Sequence, residues 1–175
     1  TQINFQIPPD ATPGPRSIRV IRGNTESTGM GRIVIASRSP SLFSADSSGN
    51  GAAAGSFVRV LPDQTQQRGE LSRCLSGQCT VNRVAFGGTQ NQLFLEIYGT
   101  GFHDPGLPGN LHVYLGGREV PVEFAGPHAK FVGLDQLNIK VPSDVQRNAD
   151  LDLYLWVRNG DGPWMASNRL TVRFE

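Results

Sequence analysis

The chain has 175 residues, enough for one large or two small domains around a sizeable core. Its 16 Lys and Arg nearly cancel 15 Asp and Glu, so it lacks the basic excess of a protein that grips nucleic acid by its phosphates. No run of eighteen apolar residues occurs, which argues against a membrane-spanning helix, and 21 Gly with 12 Pro favour turns over long helices.

The opening segment Thr1-Gln2-Ile3-Asn4-Phe5-Gln6-Ile7-Pro8 alternates strictly, with Gln2, Asn4 and Gln6 on one face and Ile3, Phe5 and Ile7 on the other. Period two predicts a half-buried β-strand, and Pro8 ends it. No basic-then-apolar leader stands at Thr1; either a leader has been removed or the chain is part of a longer one. A turn at Thr12-Pro13-Gly14-Pro15 leads to predicted strands at residues 17–21 and 32–35. Residues 44–51 form a loop in which Asp46, Ser48, Asn50 and Gly51 imitate the first half of a calcium loop. Its twelfth position is Phe57, where a bidentate Glu is wanted, so a turn held by Asp, Ser and Asn side chains is the plainer reading.

Residues 57–61 and 70–74 read as paired strands, and residues 80–86 continue the meander to Gly87-Gly88. Between them, Cys74-Leu75-Ser76-Gly77-Gln78-Cys79 reads as a hairpin tip with Ser76-Gly77 as a two-residue turn. Leu75 and Gln78 then form the closing pair, and Cys74 and Cys79 fall on a non-hydrogen-bonded pair with Cα atoms about 4.5 Å apart. That separation suits a disulfide. The six-residue loop would stabilise by about 2 kcal/mol in the chain-entropy model, and a bond here places the chain in an oxidising compartment. Two reduced thiols on neighbouring strands are the alternative; a metal site needs more soft ligands.

Strands follow at residues 92–98, 111–115 and 119–124, the last two joined by the Gly116-Gly117 hairpin signal. The opening motif then returns as Asp135-Gln136-Leu137-Asn138-Ile139-Lys140-Val141-Pro142. The copies continue in step, with residues 17–21 matched by 151–157 and residues 32–35 by 169–172; a longer Asn159-Gly160-Asp161-Gly162-Pro163 loop absorbs the length difference. Regular short strands with Gly/Pro turns and no helical periodicity predict an all-β fold, a β-sandwich. Residues 91–175 are expected to form a complete sandwich. Residues 1–90 are expected to form a partial repeat, completed by the meander with its disulfide hairpin, by residues of a longer chain, or by strands from a neighbouring subunit.

These residues resemble a C-terminal domain family of unassigned activity, abundant in large secreted proteins of acidobacteria. The likeness rests on the Gln2 to Pro8 strand, Ser39-Pro40-Ser41-Leu42-Phe43, Phe57-Val58-Arg59-Val60 and Tyr98-Gly99-Thr100-Gly101-Phe102. It continues through the Gly-Gly hairpin, Phe124-Ala125-Gly126-Pro127, the Phe131 to Asn138 stretch and Ser167-Asn168, and so covers almost the whole chain. The resemblance implies an immunoglobulin-like fold, in modules that follow other repeats in an exported protein, and carries over no catalytic residue. The Cys74, Cys79 pair and the aromatic strand at Tyr154 and Trp156 depart from its pattern.

No cofactor motif, nucleophile elbow, zinc-protease signature or phosphate loop occurs, and no cofactor is expected. His103, His112 and His128 lack ligand spacing and read as surface or turn residues. Asp150 and Asp152 share a strand face, where a solvated edge explains them better than a glycosidase pair. Tyr154 and Trp156 share a face opposite Leu153, Leu155 and Val157, and Trp164 lies just past the hairpin loop. Such a row packs against a neighbouring domain, serves structure alone, or stacks on sugar rings. The expectation is a non-enzymatic extracellular module, structural or adhesive, whose partners are neighbouring domains or like subunits joined by strand addition. The alternative is a carbohydrate-binding module using Tyr154, Trp156 and Trp164.

Overall fold

The computed structural model describes residues 5–8, 10–23, 25–103 and 109–175. These residues contain no helix and divide into two compact units, Thr1–Ser37 and Arg38–Glu175. The division falls well before residue 90, where the sequence reading set it. The reason is pairing: the meander that was expected to complete the first module hydrogen-bonds into the second.

The first unit is a hairpin of β1 (Gly14–Arg22) and β2 (Thr25–Ile35), antiparallel from Gly14↔Ile35 to Arg22↔Thr25, with a register shift between Ile18 and Val20. Both strands expected at 17–21 and 32–35 lie within it. Of the opening motif, residues 1–4 lie outside the described residues, and Phe5, Gln6, Ile7 and Pro8 form no strand. Phe5 and Ile7 are exposed, against the expectation of a half-buried ribbon. Alternation makes a segment amphipathic, but a strand also needs a neighbour for its N–H and C=O groups.

The second unit is a β-sandwich. In chain order its strands are β3 (Ser41–Leu42), β4 (Gly55–Val60), β5 (Gln66–Glu70), β6 (Ser72–Leu75), β7 (Gln78–Val81), β8 (Arg83–Val84), β9 (Gln92–Thr100), β10 (Leu111–Leu115), β11 (Arg118–Val120), β12 (Val122–Pro127), β13 (Asp135–Val141), β14 (Asp150–Val157), β15 (Met165–Ala166) and β16 (Leu170–Phe174). One sheet runs β12-β13-β9-β4-β5, with β3 also on β9. The other runs β11-β10-β14-β16-β8, with β15 on β14. These two sheets form the β-sandwich, and β8 lies parallel to β16 at the edge of the second.

The core follows from alternation. On β9, Leu93, Leu95 and Ile97 are fully buried; Leu137 and Ile139 of β13 sit beside them, and Leu153, Leu155 and Val157 of β14 face them from the other sheet. The second copy of the repeat is therefore a central strand, flanked by β9 and β12. Its second and third strands pair as β14 and β16 (Leu151↔Val172), as their counterparts pair in the β1–β2 hairpin.

Three local features correct the strand boundaries. The strand expected at 119–124 is cut at Pro121, so β11 stays in one sheet and β12 crosses to the other; proline offers no N–H to continue a ladder. The strand expected at 70–74 breaks at Leu71, which turns into the core and donates its N–H to the Gly55 carbonyl at 3.0 Å. Gly99 lets β3 lie close on β9: a Cβ there would run into the Ser41 carbonyl oxygen and stand 3.2 Å from the Leu42 Cα.

The turn chemistry follows the sequence. Gly116 and Gly117 have φ of 59° and 80°, and Ser76 and Gly77 have 49° and 81°, the left-handed pairs of type I′ hairpins. Cys74 and Cys79 are directly opposite on β6 and β7, with Cα atoms 4.0 Å apart, and are disulfide-bonded. The bond points to an oxidising environment. No helix among the described residues is long and apolar enough to cross a membrane.

Candidate functional site

The aromatic face expected from Tyr154 and Trp156 lies on the outer side of β10, β14 and β16. Along β14, Leu151, Leu153, Leu155 and Val157 point into the core, which sends Asp152, Tyr154 and Trp156 outward. Pairing with β10 sets Tyr154 opposite Tyr114 and Trp156 opposite His112. The ladder continues one pair further: Arg158 donates its N–H to the Asn110 carbonyl at 2.9 Å and its Nε to Asn110 Oδ1 at 2.9 Å.

Two stacks result. The Tyr114 and Tyr154 rings lie nearly parallel, 5.2 Å apart, and the Arg169 guanidinium covers Tyr154 at 4.4 Å. Arg169 also reaches Asp152 Oδ2 at 3.1 Å. In the second stack Trp164 packs on His112 at 4.8 Å, with the Arg158 guanidinium 4.7 Å from the indole. His112 Nδ1 in turn meets Glu119 Oε1 at 2.5 Å. Tyr154 and Trp164 are thus engaged by neighbours, and Trp156, 38% exposed, is the aromatic of this face that presents the most surface.

The remaining candidates are tied into the fold. Asp150 pairs with Arg173 at 2.6 Å and Asp152 with Arg169, so each acid has its own arginine and no histidine joins them. His103 Nδ1 lies 2.5 Å from Asp135 Oδ1, and His128 stacks on Phe131 and meets Tyr98 edge to face. In the calcium-like loop, Asp46 Oδ1 accepts hydrogen bonds from the Ser44 and Ser48 hydroxyls and the Ser48 N–H. The Ser48 hydroxyl is the main cause holding the Asp46 carboxyl below its ordinary value. Asn50 donates its backbone N–H to Ser48 Oγ at 3.2 Å. Among the described residues, no group of three or more His, Cys, Asp or Glu is placed to hold a metal ion. The hydrogen bonds around Asp46 are those of a turn held by Asp and Ser side chains.

Two polar anchors were not singled out from the sequence. Asp135 is buried and accepts the N–H groups of Phe102 and His103 at 2.9 and 3.2 Å, fixing the loop after β9. Asn168 clamps β3 like a one-residue strand: its Oδ1 accepts the Leu42 N–H at 2.7 Å, and its Nδ2 donates to the Leu42 and Gly49 carbonyls at 2.9 and 2.7 Å. Both sit within segments of the family likeness, but isolated Asp and Asn residues carry no local mark of the loop they will bind. An open groove of about 560 Å³ is lined by Phe86, Gln90, Arg118, Pro121, Lys140 and their neighbours. Arg118 there is held by Asp144 at 2.7 Å, and the groove gathers no set of catalytic groups.

Comparison of the chain with protein-family models, with curated proteins and with solved structures found no match.

Proposed function

We propose that this chain is a non-enzymatic module of an exported protein, structural or adhesive, of the kind its likeness to the acidobacterial C-terminal domain family implies. The observation that carries the reading is how its polar chemistry is spent. Asp150, Asp152 and Asp144 are each paired with an arginine, Glu96 with Arg68, and buried Asp135 with a loop. These contacts tie separate segments of the fold together, and the two carboxylate–histidine contacts among the described residues, Glu119 with His112 and Asp135 with His103, have no nucleophile or second acid beside them. The stapled β6–β7 hairpin adds support for life in an extracellular, oxidising setting.

Assembly through strand addition belongs to the same reading. In the Thr1–Ser37 unit, Ile21 and Val34 are 66% and 75% exposed on a two-stranded hairpin, an element marginal by itself in water. A second copy of the chain is the partner proposed for it. Sedimentation of the full chain across a hundredfold concentration range is expected to show self-association that Val34→Glu removes. A monomer throughout would end the assembly proposal.

Carbohydrate binding is the second reading. It is favoured by one observation: Trp156 is exposed within a row of aromatic and polar side chains.

A further inference from the structure

We infer that the Trp156–Arg158 end of the outer sheet face binds acidic polysaccharides, polymers whose sugar rings each carry a carboxylate. This rests on the carbohydrate reading and narrows it to a substrate class.

The aromatics of the face are not equivalent. Tyr154 is covered by Tyr114 and by Arg169, and Trp164 lies against His112 and Arg158, so neither offers an open ring face. Among the described residues no ring or cation stacks on Trp156, which is 38% exposed. A sugar ring seeking an aromatic platform has Trp156 to use.

The charges differ in the same way. Arg169 and Arg173 are paired with Asp152 and Asp150. Arg158 has no carboxylate within ion-pair distance among the described residues. Its Nε is spent on Asn110 and its plane rests on Trp164, while its Nη groups make no hydrogen bond there. Glu119, the acid of the adjacent row, is already engaged by His112. The guanidinium is therefore held in place with its terminal donors unused among the described residues, a fork matched to a carboxylate.

Spacing links the two groups. Trp156 and Arg158 are two residues apart on one extended segment and lie on the same face, about 7 Å apart along the chain. A uronate ring stacked on Trp156 sets its carboxylate toward the Arg158 fork. A neutral ring gains the stacking alone.

The two Trp residues of the chain both lie on this face, so intrinsic fluorescence reports occupancy. The full chain is titrated with polygalacturonate and with the same polymer fully methyl-esterified. Polygalacturonate is expected to bind at least about tenfold tighter, as a charge-assisted contact implies, and added salt should narrow the gap. Arg158→Gln should erase the preference, Arg158→Lys should keep only part of it, and Trp156→Ala should weaken both polymers. Circular dichroism of the Tyr114–Tyr154 pair checks that each variant is folded. Equal affinity for acid and ester overturns the acidic assignment and leaves the carbohydrate reading standing; binding of neither overturns both. A preference that survives Arg158→Gln also overturns the assignment.

Discussion

Asn168 offers the sharpest test of how the second unit is held together. Its side chain makes three well-formed hydrogen bonds to backbone: one accepted from the Leu42 N–H, and two donated to the Leu42 and Gly49 carbonyls. All three are partly buried, and each contributes about 1 kcal/mol net in such a setting. Asn168→Ala should therefore destabilise by about 3 kcal/mol, which lowers the melting temperature by about 10 °C in a domain of this size. Asn168→Asp discriminates further. It keeps the acceptor for Leu42 but replaces the donating nitrogen with an anionic oxygen, facing two carbonyls at 2.9 and 2.7 Å. Two bonds become two repulsions, so the nearly isosteric change should cost at least as much as the truncation. Urea unfolding at neutral pH, followed by Trp fluorescence, measures the right unit, because Trp156 and Trp164 both belong to Arg38–Glu175. If Asn168→Asp proves milder than Asn168→Ala, or both stay within about 0.5 kcal/mol of the parent, the clamp does not hold β3 as described.

Reduction of Cys74–Cys79 should lower stability by about 2 kcal/mol, a small loss because the closed loop is only six residues long; an unchanged urea midpoint under dithiothreitol would contradict this. Acid should act through carboxylates whose ionised form the fold favours. Asp46 is lowered from 3.8 chiefly by the Ser48 hydroxyl, and Asp144 chiefly by the Arg118 hydrogen bond. Because these folded values lie below the unfolded ones, their contribution is complete above about pH 4 and is lost as the pH falls through the folded values. A carboxyl NMR titration should place the Asp46 midpoint below 3.8 and move it upward in Ser48→Ala; a midpoint indifferent to Ser48 would refute the assignment.

Much of the fold was legible because period-two alternation is a local signal. Residues 92–98, 136–141 and 151–157 alternate, and all three lie in central strands with their apolar faces inward. Gly116-Gly117 and Ser76-Gly77 announced their turns for an equally local reason, the φ angles that a type I′ hairpin requires. The breaks at Leu71 and Pro121 were not resolved, because a strand that changes sheets keeps its alternation and only its partner changes. β3, β8 and β15, each of two residues, are too short to carry any pattern. The site was half legible: one strand predicts that Tyr154 and Trp156 share a face. That Tyr114 stacks on one, that His112 faces the other, and that Arg169 and Arg158 cover Tyr154 and Trp164 depends on register between distant segments.

The duplicated motif separates local code from tertiary outcome. Gln136 to Pro142 and Gln2 to Pro8 share one alternation and one terminating proline. In the later copy, β9 and β12 supply both hydrogen-bonding edges, and Leu137 and Ile139 have an opposing sheet to bury them. In the earlier copy, Phe5, Gln6 and Ile7 have no ladder, and Phe5 and Ile7 face solvent. Burying two such side chains is worth about 3–6 kcal/mol, but only once a strand edge has met the backbone's hydrogen bonds. The alternation thus states a need for a partner strand and an apolar surface, and strand addition from a second copy would supply both together. This is why the assembly state of the full chain, rather than any single side chain, is the decisive measurement for the first unit.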